Sequence, residues 1–257
     1  PIPRTLQYSL MSARDLSIIS TAPSNRVPIE SEVIRFNAKS IQKAIRYELD
    51  RGGQIFFVHN KIDNINEFGK WLENLVPEAS IKIAHSKIEG KKLETIMFEF
   101  IENKFDILLS TTIIESGLDV PNANTIFINN SHHFGLSDLH QMRGRVGRSN
   151  KRAFCYFITP EISSLTSEAK KRIDAIGQYS ELGAGFNIAM KDLEIRGAGD
   201  LLGGEQSGFI NDIGFETYHK ILNEAVEELK NTEFKKLFNE SEKDNYFIKD
   251  VVIDTDF

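Results

Sequence analysis

Ile55-Phe56-Phe57-Val58 is an unbroken apolar run of the length a buried strand needs. A run without polar alternation implies a strand covered on both faces, as in a parallel sheet. On its N-terminal side, Val33–Phe36 is a second short apolar run. Between the two, Ile41, Ala44, Ile45 and Leu49 fall at helical spacing, with Ser40 as candidate cap and Gly52-Gly53 as stop. The alternation continues on the C-terminal side. Ile65, Phe68, Leu72, Leu75 and Val76 predict a helix ending at Pro77, and Ile81–Ala84 a strand. Leu93, Ile96, Met97, Phe100 and Ile101 share one helix face. Ile107–Leu109, Ile126–Ile128 and Ala153–Ile158 read as strands, the last preceded by a helix capped by Ser137 and running to Arg143. This pace predicts an α/β fold, a parallel sheet with helices on both faces and right-handed crossovers. Ligands of such sheets sit at the carboxyl ends of the strands, here the loops after Val58, Ala84, Leu109, Ile128 and Ile158.

The alternation stops past Thr159. Residues 167–179 read as helical, 183–208 hold seven glycines mixed with charge, and 214–230 form an amphipathic helix. A boundary is expected near 160, between the α/β domain and a helical, glycine-punctuated appendage. Residues 1–30 carry four of the seven prolines and read as a connector. Because the chain opens on Pro1 without methionine, it reads as a piece of a longer protein.

Composition bounds the alternatives. Among 257 residues, 40% are hydrophobic and 26% charged, which excludes collagen-like, disordered and disulfide-scaffold classes. No apolar run approaches the ~20 residues of a bilayer crossing, and the single Cys155 fits a reducing cytoplasm. The net charge of -6 argues against a protein that coats DNA, but leaves room for a local basic face.

Two segments carry chemistry. Gln141-Met142-Arg143-Gly144-Arg145-Val146-Gly147-Arg148 sets three arginines among glycines, with no acid as far as Arg152. Guanidinium forks match phosphate oxygens, and glycine admits close backbone approach. Ser110-Thr111-Thr112 opens the second segment, which continues through Glu115, Gly117 and Asp119 to Pro121. Hydroxyls at a strand end can hold a phosphate, although an ordinary capped loop has the same composition. His132-His133 alone is poor evidence for a metal site, and none is expected.

Together these segments resemble motifs V and VI of superfamily 2 helicases and translocases, and Pro1–Leu6 resembles the end of motif III. Asp192-Leu193-Glu194-Ile195-Arg196-Gly197-Ala198-Gly199-Asp200-Leu201-Leu202-Gly203 resembles the TRG (translocation in RecG) motif shared by RecG-type fork remodellers and transcription-repair coupling factors. Asp15–Ile19, Gly204–Gly208 and Ile213-Gly214-Phe215 with Tyr218 favour the latter group.

The resemblance implies a RecA-like (P-loop NTPase-type) second motor lobe over 31–160, a TRG helical hairpin and loop over 161–230, a connector from a first lobe over 1–30 and a link to a further domain over 231–257. It implies a double-stranded DNA translocase that displaces stalled RNA polymerase, couples transcription to excision repair and works in the cytoplasm. In such a motor ATP lies between the lobes, and the first lobe holds Mg2+. Arg145, Arg148 and Gln141 would meet the γ-phosphate, with Glu115, Gly117, Asp119 and Gly144 near the nucleotide. Asn60, Lys61, His85, Ser86, Thr111 and Thr112 would hold DNA phosphates. Arg196, with Glu194 and Gln206 as polar partners, would couple ATP state to movement. No G-x-x-x-x-G-K-[ST] and no Asp-Glu pair occur, so the chain alone is expected not to hydrolyse ATP. A RecG-like fork remodeller and a non-catalytic nucleotide-sensing module remain the rival readings.

Overall fold

The computed structural model describes residues 27–112, 120–181, 183–196 and 215–232. Glu115, Gly117, Asp119 and Gln206 lie outside the described residues, as do the motif III resemblance and the stretches 15–19 and 204–208. Arg196 is described in its backbone only.

The described chain runs β1 (Glu30–Arg35), α1 (Ala38–Asp50), β2 (Gln54–His59), α2 (Ile65–Leu75), β3 (Ile81–Ala84), α3 (Gly90–Ile101), β4 (Ile107–Ser110), β5 (Ala123–Asn129), α4 (Leu136–Arg143), β6 (Phe154–Thr159), α5 (Ser167–Gln178), α6 (Gly185–Arg196) and α7 (Phe215–Thr232). The strands form one parallel six-stranded sheet in the order β1-β6-β5-β2-β4-β3. This is the parallel α/β sheet that the βα alternation predicts.

Successive strand residues point to opposite faces, and the core divides accordingly. Ile55 and Phe57 pack with Ile41 and Ile45 of α1 and with Ile65 and Leu72 of α2. Phe56 and Val58 face the other way, against Ile96 and Phe100 of α3 and Leu136 and Leu139 of α4. Each fully buried side chain of this kind contributes roughly 1.5–3 kcal/mol. Phe127 is stacked between Phe57 (5.1 Å) and Tyr156 (4.9 Å), which ties three strands together on the α1–α2 face. Cys155 is fully buried, and burial pushes its thiol pKa up.

The core runs on across residue 160. Leu165, Ala169, Ile173 and Ile176 from the α5 region and Ile188 and Ile195 of α6 join the same cluster as α3 and α4. The described residues of 161–196 thus pack on the α4 side of the sheet and share its core. Part of the glycine-punctuated stretch is therefore regular helix, Gly185–Arg196.

Two helix starts differ from the sequence expectation. The cap of α1 is Asn37, whose Oδ1 accepts from the backbone N–H of Lys39 (2.9 Å) and Ser40 (3.2 Å). At α4 the Asp138 carboxylate accepts from the Gly135 N–H (3.2 Å), while the Ser137 hydroxyl donates to Asp192 Oδ2 of α6 (3.0 Å). Among the described residues, no helix is long and apolar enough to cross a membrane.

Candidate nucleotide and nucleic-acid site

The candidate residues fall on two opposite edges of the sheet. Loops after β2, β4 and β3, three adjacent strands, bring Asn60 and Lys61, Thr111 and Thr112, and His85 and Ser86 together at the carboxyl edge. With strands ~4.8 Å apart this row is roughly 10 Å wide. Asn60, Lys61 and Ser86 are exposed, and His85 and Thr112 are half-buried. Thr111 is only 7% exposed, so its side chain belongs more to the sheet than to the surface.

Two side chains at this edge, His59 and Phe36, were not singled out as candidates by the sequence. His59 is buried, with Nδ1 accepting from Asn129 Nδ2 (3.0 Å) and Nε2 beside Asn64 Oδ1 (2.8 Å). Its ring stacks on Phe68 at 4.5 Å. Phe36, in the loop after β1, is 49% exposed and leans on Trp71 (5.2 Å) and Phe68 (6.4 Å). An exposed aromatic therefore stands on the ring cluster that flanks His59. Its signal was the solvated aromatic directly after a strand, which reads equally well as the last residue of that strand.

The arginine segment lies at the other edge. Helix α4 links two parallel neighbours, so it runs antiparallel to them and ends near the amino ends of the strands. Residues 144–153 confirm this placement. Ser149 Oγ donates to Asn124 Oδ1 at the start of β5 (2.8 Å), and Lys151 Nζ to the Arg51 carbonyl before β2 (3.4 Å). Gly147 has φ +74°, and a Cβ there would lie 2.9 Å from Ile29 Cγ1. Glycine is thus required twice over at this position, by backbone sign and by packing. Gly144 has no such need, with φ -68° and an exposed position. Val146 is buried at 2% exposure and pins the loop to the core. Between these anchors Arg145 and Arg148 are half-buried and Gln141 is exposed. The expectation that ligands meet only the carboxyl-edge loops does not extend to the arginine segment, because its loop follows a helix.

The third arginine is different. Arg143 is 4% exposed and donates to the carbonyls of Ile176 (3.0 Å) and Tyr179 (2.7 Å), capping the C-terminal end of α5. It also donates to His140 Nδ1 (3.1 Å). A guanidinium at a helix C-terminus complements both the orphan carbonyls and the dipole. Burial, and then the Arg143 charge, push the His140 pKa down to about 4. A histidine is unperturbed near 6.5 when unfolded, so between these values the unfolded chain binds more protons. The contribution of His140 to stability is thus fully present above ~6.5 and lost as pH falls toward 4. Replacing His140 by glutamine should remove this component from the slope of stability against pH over that window, measured by urea melts.

On α6, Glu194 is paired with Lys191 of its own helix through both carboxylate oxygens (2.9 and 2.8 Å). The acid of α6 that reaches the motif VI helix is Asp192, fully buried and bound by Ser137. Among the described residues no group of three His, Cys, Asp or Glu side chains could hold a metal ion.

Comparison with known proteins agrees with this architecture. Residues 37–150 match the helicase conserved C-terminal domain. The transcription-repair-coupling factor of Bacillus subtilis (strain 168) is 48% identical over 230 residues, 90% of this chain and 20% of that protein. Its counterpart in Staphylococcus aureus (strain USA300) is 50% identical over 228 residues, 89% of this chain and again 20% of the relative. The chain therefore spans about a fifth of the length of these relatives. A solved structure of RecG bound to a three-way DNA junction superposes with a TM-score of 0.67 at 31% identity, covering 87% of this chain and 29% of that one. Residues 37–150 thus carry a helicase conserved C-terminal domain, and nine-tenths of the chain is homologous to one segment of the transcription-repair-coupling factors.

Proposed function

We propose that this chain is the second motor lobe of an ATP-driven double-stranded DNA translocase that displaces stalled RNA polymerase and couples transcription to nucleotide excision repair. The observation that carries the reading is the placement of Arg145 and Arg148 on a loop pinned by Val146 and Gly147. Such a loop fixes the backbone that carries both arginines at one edge of the lobe, and a guanidinium fork is the group suited to an oxyanion supplied from outside it. Identities of 48–50% to coupling factors, against 31% to RecG, favour the coupling-factor assignment over the fork remodeller.

In this reading a first lobe brings the phosphate loop and the acids that hold Mg2+. The bound ATP supplies the phosphoryl group whose transfer drives movement. Arg148 and Arg145 stabilise charge developing on that group, and Gln141 orients the γ-phosphate side of the site. Gly117 and Asp119, with Glu115 and Gly144, line the nucleotide side. Asn60, Lys61, His85, Ser86, Thr111 and Thr112 hold the DNA backbone at the opposite edge, with little sequence preference. Helix α4 connects the two functions, because its C-terminal end carries the arginine segment while Ser137 and Arg143 grip α6 and α5. We assign α5, α6 and the Arg196 region to the TRG element that converts lobe movement into DNA movement.

The reading makes the chain a half-site. Purified alone, it should show no DNA-stimulated ATP hydrolysis above background, whereas the full-length protein should hydrolyse ATP readily. Turnover by the isolated chain that survives rigorous purification would overturn the composite-site reading.

A further inference from the structure

The arginine loop is tied to a buried carboxylate that no part of the nucleotide chemistry uses. Glu48, near the end of α1, is fully buried. A carboxyl group is costly to bury unless its oxygens have partners, and here both do. Arg51 pairs with it, the Thr125 hydroxyl donates to Oε2, and Asn124 Nδ2 approaches Oε1 at 3.4 Å. The neighbouring backbone makes room for it. A Cβ at Gly53 would stand 1.6 Å from Glu48 Oε1, so the carboxylate occupies the space a side chain would take.

Asn124 is also fully buried and has one sense of hydrogen bonding that satisfies it. Its Nδ2 donates to the Asn122 carbonyl (2.9 Å) and toward Glu48, which leaves Oδ1 as the acceptor for Ser149 Oγ (2.8 Å). The Ser149 hydroxyl in turn accepts from the Lys151 backbone N–H (3.3 Å). Ser149 directly follows Arg148, and Gly147 directly precedes it against Ile29 and Ala153. Arg148 is thus the single residue between two fixed points, a packing clamp on one side and a polar clamp on the other.

We infer that Glu48, Asn124 and Ser149 form a positioning relay that fixes the backbone carrying Arg148, so that its guanidinium meets the transferred phosphoryl group without searching for it. This inference rests on the arginine role proposed above. Ser149 is a positioning residue and touches neither nucleotide nor DNA. Its effect is therefore expected on turnover and not on ATP affinity, because a displaced stabilising group is felt most where charge develops.

The test is steady-state ATP hydrolysis by the full-length protein at saturating duplex DNA, for the variants Ser149→Ala, Ser149→Thr and Arg148→Ala. Loss of the Ser149 hydroxyl should lower kcat about tenfold, well short of the ~100-fold that a 1 Å misplacement can cost, with KM for ATP within about twofold. Threonine, which restores the hydroxyl, should bring kcat back to within about threefold of the parent. An unchanged kcat for Ser149→Ala, alongside a large loss for Arg148→Ala, would overturn the relay and leave the arginine role standing. Equal losses for Ser149→Ala and Ser149→Thr would also overturn it, since the hydroxyl would then not be the positioning group. An unchanged kcat for Arg148→Ala would remove the arginine role and the relay with it.

Discussion

Replacing Arg148 by alanine in the full-length protein is expected to lower DNA-stimulated ATP hydrolysis by roughly 10³-fold, the lower end of what an arginine finger supplies. The mechanism is electrostatic. A guanidinium held in place before the reaction stabilises charge as it develops. DNA affinity should change little, because the DNA candidates lie at the carboxyl edge and the arginine loop at the amino edge. Strands of four to seven residues at ~3.3 Å per residue separate the two edges by roughly 13–23 Å, beyond a Debye length at physiological salt. Steady-state ATPase and duplex binding by anisotropy, measured on the same preparation, check both halves. Full activity in the variant would show that these forks do not complete a nucleotide site. A parallel fall in DNA affinity would show that the two edges are not functionally separate.

That separation was only partly legible in the sequence. The central strands were, because burial on both faces leaves nothing but apolar residues, and Ile55–Val58 and Ile107–Leu109 stand where the apolar runs put them. The helix caps were less legible. Asn37 and Ser40 are both good caps within one turn, and local sequence does not say which of them meets free N–H groups. At α4 Ser137 was taken from the cap by a partner 55 residues away. By composition the arginine segment is three like groups, and only the motif resemblance assigns Arg145 and Arg148 to phosphate. Composition cannot divide them, since what makes Arg143 structural is a pair of carbonyls 33 and 36 residues further on. The Glu48 relay was invisible for the same reason, as Asn124 lies 76 residues from the carboxylate it approaches. Long-range polar contacts leave no periodic trace, whereas apolar packing does.

The division among the arginines leads to the second large effect. Arg143→Ala should destabilise the chain by about 3 kcal/mol or more, because it strands the buried carbonyls of Ile176 and Tyr179 and opens a hole beneath α4. The loss should be local before it is global. Helices α5 and α6 pack on the lobe partly through this residue, so their amides should lose hydrogen-exchange protection while the central strands β2 and β5 keep theirs. Arg143→Met separates packing from polarity, since it refills most of the volume but donates to neither carbonyl. If methionine recovers most of the stability, the guanidinium acts mainly as a spacer. If methionine is nearly as damaging as alanine, the helix end requires its donor, and the grip of the motif VI helix on α5 is electrostatic. The second outcome is expected, because Arg143 serves two carbonyls and His140 at once, and a thioether serves none of them. Urea unfolding of the three proteins, with exchange read by mass spectrometry, decides between them. An unchanged unfolding midpoint for both variants would refute the capping role and remove the physical link between the arginine segment and the helices that follow it.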